Sequence, residues 1–331
     1  MKIVAQNFRE LSRGGFVGWN RFWFTPCDPA TLGMIRLLAG GMLLYTHLVW
    51  GLDLVGFLGS HGRLSPEFVQ QLNGSPFAWS YLFAVASPHW LLGLHAVALV
   101  VLLLFTLGVA SRVTSVLAFL VTVSYAHRAS GALFGLDQIN GMLALYLMVG
   151  PSGRAYSIDR WWAGRRTGQP SAGQPLVSAN VAIRLIQLHM CLIYLVAGCG
   201  KLLGASWWEG TALWGALANL EYQTWDMTWL AGCPLVINFV TQLTLAWEVS
   251  YAALVWPRLT RPLVLALAVP LHLGIAVGMG MITFGLVMLI GNLAFVSPAL
   301  VRGVTGGLGR WLPGRASGPS AGRALARQPA R

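Results

Sequence analysis

Apolar residues fall in long runs parted by short polar stretches, and that spacing predicts the elements of the chain. A helix that crosses a bilayer needs about 20 predominantly apolar residues. Runs of that kind lie at roughly 32–50, 90–109, 113–127, 133–150, 181–200, 234–256, 262–279 and 282–300. Eight spans are therefore expected, the third short and extensible through Arg128. Residues 77–87 are too few to cross, so an interfacial placement is expected there, with a ninth span as the alternative. The pattern predicts an all-α, polytopic helical bundle. Residues 1–30 mix Phe, Trp and Arg as an interfacial segment would, and 31–301 form the transmembrane domain. Residues 302–331, rich in Gly, Ala, Pro, Ser and Arg, read as a disordered basic tail.

Composition sharpens this picture. Of 331 residues, 56% are hydrophobic and only 10% are charged, against about 25% charged in a soluble domain. The 22 Lys and Arg residues outnumber the 10 Asp and Glu residues, but they form no single patch, which excludes nucleic-acid binding. They cluster at the two termini and in alternate loops. Only Arg63, Arg128 and Lys201 lie outside the spans on the opposite face. Lysine and arginine collect on the cytoplasmic side, so both termini are expected inside a multi-pass protein of the plasma membrane. Cys27, Cys191, Cys199 and Cys233 show no CxxC spacing, so neither a disulfide nor a zinc site is expected.

Ionisable residues at membrane depth are costly and point to function or to pairing. Arg36 and Arg184 lie about one turn inside the cytoplasmic ends of their spans, where a long side chain can also snorkel to water. Asp137 sits near the outer end of the fourth span, suited to a helix-terminal or a catalytic role. Glu248 lies about 21 Å from the outer end of the sixth span at 1.5 Å per residue, too deep for a short carboxylate to reach water. Arg36 and Arg184 enter from the same side and are expected partners for it. Five histidines, His47, His95, His127, His189 and His272, lie in or near spans without metal-pair spacing, so no metal is expected. His272, two residues after Pro270, is the best site candidate among them. Lys201 is one of two lysines in the chain. It follows Ala197, Gly198 and Gly200, small residues that admit a neighbouring backbone or a flat ligand. Its roles are a helix-end anchor or a desolvated base.

The run Tyr-Leu-Val-Ala-Gly-Cys-Gly-Lys-Leu at 194–202, then Trp208 and Glu-Gly-Thr-Ala at 209–212, resembles the core motif of vitamin K-dependent γ-glutamyl carboxylases. It equally resembles their bacterial relatives, the HTTM (horizontally transferred transmembrane) domain proteins. Other pieces follow in the same order: Phe-Trp-Phe-Thr-Pro at 22–26 with Asp28, Pro29 and Arg36, Gly108 with Arg112, Ser-Ile-Asp at 157–159, Glu248, His272 and Val-Met-Leu at 287–289. The resemblance covers about residues 20–300. It implies a helical membrane enzyme acting at its extracytosolic side on reduced vitamin K or menaquinol. By position Lys201 is the base, with His272 and Asp137 orienting groups or relaying protons. Gly198, Gly200 and Trp208 would bind the quinol, and Glu248 with Arg36 or Arg184 would form a buried ion-pair support. Leu136 and Asp137 stand where the carboxylases have asparagine and histidine, and an apolar run follows His272. The implied substrate is a small molecule, a peptide or a protein. The family also suggests a second reading, a non-enzymatic maturation or export factor for a small secreted peptide.

Overall fold

A computed structural model describes residues 14–75, 77–168, 174–222 and 224–311. Among them no strand forms. The one backbone bridge joins Cys27 to Leu176 and ties the N-terminal segment to the start of a long helix. Eight helices build the body: α1 (Ala30–Gly51), α2 (Pro88–Leu107), α3 (Ser111–Arg128), α4 (Gly135–Val149), α5 (Val177–Lys201), α6 (Pro234–Leu254), α7 (Arg261–Gly278) and α8 (Ile282–Asn292). They pack chiefly as α1 on α2, α3 on α4, α5 on α6 and α7 on α8, with α4, α5 and α8 joining the pairs. One apolar core runs through them, from Leu32 and Ile35 to Met190, Val287 and Phe295. This is an all-α membrane bundle.

All eight expected runs are helical, but not all have the length and apolarity of a span. By those two properties α1, α2, α5 and α7 can cross a membrane. The 15 residues of α4 reach only about 22 Å against roughly 30 Å of hydrocarbon, and α6 carries Asn238, Gln242 and Glu248. The expected eighth span, 282–300, breaks after Asn292. A short 3₁₀ turn follows, and helix Pro298–Trp311 leaves at a bend of 116°, so that this pair would make a fifth span only if counted as one broken element. Residues 77–87 hold only the 3₁₀ turn Tyr81–Ala84.

The expected disordered tail is corrected in its first part. Ser297 accepts a hydrogen bond from the Leu300 amide at 3.3 Å and starts the Pro298–Trp311 helix, the usual N-cap arrangement. Arg302 then grips Asp28 with two hydrogen bonds of 2.7 and 2.8 Å. Residues 312–331 and 1–13 lie outside the described residues. Residues 14–24 are helical, with Phe16, Val17, Trp19 and Phe24 exposed.

One turn fixes the junction of α2 and α3. Gly108 ends α2 with a φ of 69°, and a Cβ there would collide with Arg36 and Ser157; only glycine satisfies both demands. Asp159 closes the same turn by accepting from the amides of Ala110 and Ser111 at 2.8 Å and from the Ser111 hydroxyl.

Candidate functional site

Lys201 is the last residue of α5, and its Nζ lies 2.6 Å from Glu248 Oε2 on α6. Gly198, one turn earlier, makes that approach possible. A Cβ there would stand 2.9 Å from the Val249 amide nitrogen and 3.2 Å from the Glu248 carbonyl carbon. Backbones at this distance require a hydrogen side chain. The pair is largely sheltered, with 25% of the lysine side chain and 13% of the glutamate side chain exposed.

Lys201 is also recessed. Glu248 lies fourteen residues into α6, so about 21 Å of that helix extends past the end of α5. The segment after Lys201 folds over this extension. Gln242 donates to the Trp207 carbonyl at 2.9 Å, and the Leu213 amide donates to Thr241 at 3.2 Å. Leu217, Leu230 and Ile237 form a small separate core there. This cover brings the Trp207 ring 5.3 Å from Lys201 Nζ, within the range of a cation–π contact.

Two turns below Lys201 lies a buried polar network. Tyr194 Oη contacts His272 Nε2 at 2.7 Å and accepts from Asn292 Nδ2 at 2.8 Å, while Tyr251 Oη donates to Asn292 Oδ1 at 2.6 Å. Because Tyr194 accepts from Asn292, its own proton is free to go to His272 Nε2; that places the histidine hydrogen on Nδ1, which has no hydrogen-bond partner among the described residues. Trp247 adjoins Glu248 in sequence and stacks edge-on against Tyr194 at 4.8 Å. All five side chains are buried. The structure thus pairs Lys201 with Glu248 and sets His272 in a separate network with Tyr194 and Trp247, about two turns back along α5.

Other expected members of the site lie elsewhere. Glu248 does not pair with Arg36 or Arg184. Arg36 is fully buried rather than snorkelling, and its Nη2 donates to the Tyr156 carbonyl. Arg184 donates to Gln187 Oε1 at 2.9 Å and to the Phe22 carbonyl at 3.3 Å, with its guanidinium 4.4 Å from the Phe22 ring. Both arginines therefore hold backbone and the N-terminal segment. Asp137 accepts from the Phe134 amide at 3.1 Å and caps α4. It also lines a cavity of about 20 Å³ with His47, Tyr125 and Asn140, a set separate from the Lys201 pair. Trp208 is 65% exposed and donates to the Leu202 carbonyl, while the neighbouring Trp207 is the ring that faces Lys201. Gly200 is exposed and meets nothing within 4 Å. Of the small residues expected to admit a backbone or a flat ligand, Gly198 is the one that a neighbouring backbone approaches. Among the described residues no three His, Cys, Asp or Glu side chains converge as a metal set.

Tyr194, Trp207, Trp247, Tyr251 and Asn292 were not singled out from sequence. Tyr194 opens the quoted motif, and Asn292 interrupts an apolar run at depth; the second was the available signal.

No curated protein and no solved structure matches the chain. The family model of the HTTM domain matches residues 24–299, a stretch that contains all of α1–α8 and both halves of the Lys201–Glu248 pair, and the chain belongs to that family.

Proposed function

We propose that the protein is a membrane-embedded, quinol-dependent enzyme of the vitamin K-dependent carboxylase type, in which the Lys201–Glu248 pair moves the proton. The observation that carries this reading is an amine and a carboxylate 2.6 Å apart under a protein cover, beside a tryptophan ring. The groups present suit a hydroquinone: an acid–base pair for a phenolic O–H, the Trp207 face for a flat ring, and the unpartnered Nδ1 of buried His272 as a donor. When bound, reduced vitamin K or menaquinol would supply an ionisable O–H and the electrons that oxygen consumes.

The residues divide the work. Glu248 takes a proton from Lys201 Nζ, leaving a neutral amine. The amine then accepts the proton of the ligand, and Glu248 holds the first until release. Trp207 excludes water from one side of Nζ. Tyr194, Asn292 and Tyr251 hold the imidazole of His272 in one orientation and tautomer, so it acts as a fixed donor. Asp137 enters this reading only as the cap of α4. The reading places Lys201 toward the extracytosolic side of a plasma membrane with both termini inside, and the acceptor of the chemistry is a small molecule or a peptide.

The test is turnover in lipid nanodiscs. Protein given menaquinol or vitamin K hydroquinone should consume oxygen or form epoxide, and Lys201→Ala should abolish it. Equal turnover in that variant removes Lys201 from the mechanism. A tightly co-purifying protein, with neither turnover nor bound quinone by mass spectrometry, would favour a non-enzymatic maturation or export factor.

A further inference from the structure

A cavity lies at the other end of α5 from Lys201. It measures about 220 Å³ and is walled by the Gly150–Arg154 loop, the start of α3 and the start of helix Ile158–Thr167. That loop leads towards the start of α5, whose 25 residues span about 36 Å before Lys201. The cavity is therefore remote from the candidate site.

Its charge is strongly one-sided. Arg112, Arg154 and Arg160 line it, against the single carboxylate of Asp159. Asp159 is already committed. Burial opposes its charge, but the Ser111 hydroxyl, the Ser111 and Ala110 amides and the nearby Arg36 outweigh that and hold its carboxyl below the usual range. The exposed guanidinium groups of Arg112 and Arg154 make no hydrogen bond or ion pair among the described residues. Two unspent guanidinium forks lining one cavity match the oxygens of a phosphate.

The surroundings indicate where that phosphate comes from. Helix Ile158–Thr167 exposes Trp161 and Trp162 by 48% and 57%, with Arg165 4.1 Å over the first ring and Arg166 5.6 Å over the second. Tryptophan with arginine marks the headgroup layer of a bilayer. Basic pockets at this level on the cytoplasmic side suit anionic headgroups.

We propose that this cavity binds a phosphate ester through Arg112 and Arg154, and that its source is the headgroup of an anionic phospholipid. The full chain is purified in detergent, and retention of phosphatidylglycerol and phosphatidylcholine is compared by native mass spectrometry. Phosphatidylglycerol should be retained in preference, and Arg112→Gln with Arg154→Gln should weaken its retention roughly 30-fold. Removing the surface charges by Arg165→Gln with Arg166→Gln should leave most of it; an equal loss there means diffuse surface charge and overturns the site. Equal retention by the wild type and the Arg112/Arg154 variant also overturns it. If lipids are not distinguished but inorganic phosphate alone stabilises the wild type and not the variant, the phosphate site stands and the lipid source falls. Should the double variant fail to fold, Arg112→Gln and Arg154→Gln carry the test singly.

Discussion

Arg36 and Lys201 are both cations among apolar helices, and the fold holds them in opposite ways. Arg36 is wholly enclosed and gives its guanidinium to a backbone carbonyl, that of Tyr156, whose φ of 50° lies in the left-handed region that non-glycine residues avoid. A peptide carbonyl takes no proton at neutral pH, so this contact can only fasten a turn. Lys201 keeps a quarter of its side chain accessible and faces a carboxylate, which does take protons. The lesson is that a charge at membrane depth is chemical only when its partner can change protonation state and a ligand can reach it.

The comparison breaks most visibly at Lys201. Lys201→Ala leaves the Glu248 carboxylate sheltered without a counter-ion, which should cost about 3–5 kcal/mol and show as a large fall in thermal midpoint. Replacing both members, Lys201→Met with Glu248→Met, should recover most of that stability, because an apolar pair of similar volume often serves as well. It should recover no turnover. A stable double variant that still consumes oxygen would sink the proposed chemistry without any ambiguity from misfolding.

At Arg36 the expected pattern is reversed. Arg36→Met should lower stability by about 1–3 kcal/mol, because the Tyr156 carbonyl loses its donor. Turnover per folded molecule should not change. A loss of turnover at unchanged folding would mean that the two cations communicate.

The two glycines of the motif sharpen the contrast further. Gly198→Ala places a Cβ 2.9 Å from the Val249 nitrogen and should force α5 from α6, at about 1–3 kcal/mol, separating Lys201 from Glu248. Gly200→Ala meets open space and should be neutral or raise helix stability by up to about 1 kcal/mol. Denaturant midpoints of the two variants decide this, and similar values would show that the close approach at Gly198 is not needed.

Much of this was legible in the sequence, and the limits have physical causes. Hydrophobic run length gave the helices, depth flagged Glu248, His272, Arg36 and Arg184 one by one, and its rarity after small residues flagged Lys201. Their pairing was not legible, because it depends on where α5 stops along α6; the 21 Å of α6 beyond that point reverses which cation Glu248 can reach. Which of Trp207 and Trp208 faces Lys201 was not legible either, because one residue turns a helix by 100°, and motif spacing does not resolve that. Tyr194, Tyr251 and Asn292 lie inside apolar runs that hide them, although buried hydroxyl and amide groups must find partners. The break after Asn292 was hidden by an apolar run that continues through it to residue 300, where only Ser297 and Pro298 signal a new start.

The smallest expected effect lies where the C-terminal helix meets the N-terminal segment. Hydrogen bonds from Arg302 hold the Asp28 carboxyl below its usual range. A depressed folded value means that the contact stabilises fully above the unfolded aspartate value of about 4 and is lost as pH falls through the folded one. Both side chains are about a third exposed, so screening limits the contribution to about 1 kcal/mol or less. Hydrogen exchange of residues 298–306 should therefore be faster in Asp28→Asn than in the wild type at pH 7, with the gap shrinking at high salt. Below the folded value the two should converge, because the wild-type carboxyl is then neutral as well. No gap at pH 7 would show that the C-terminal helix is held by apolar packing alone, for instance by buried Val301, and that the ion pair only marks where it lies.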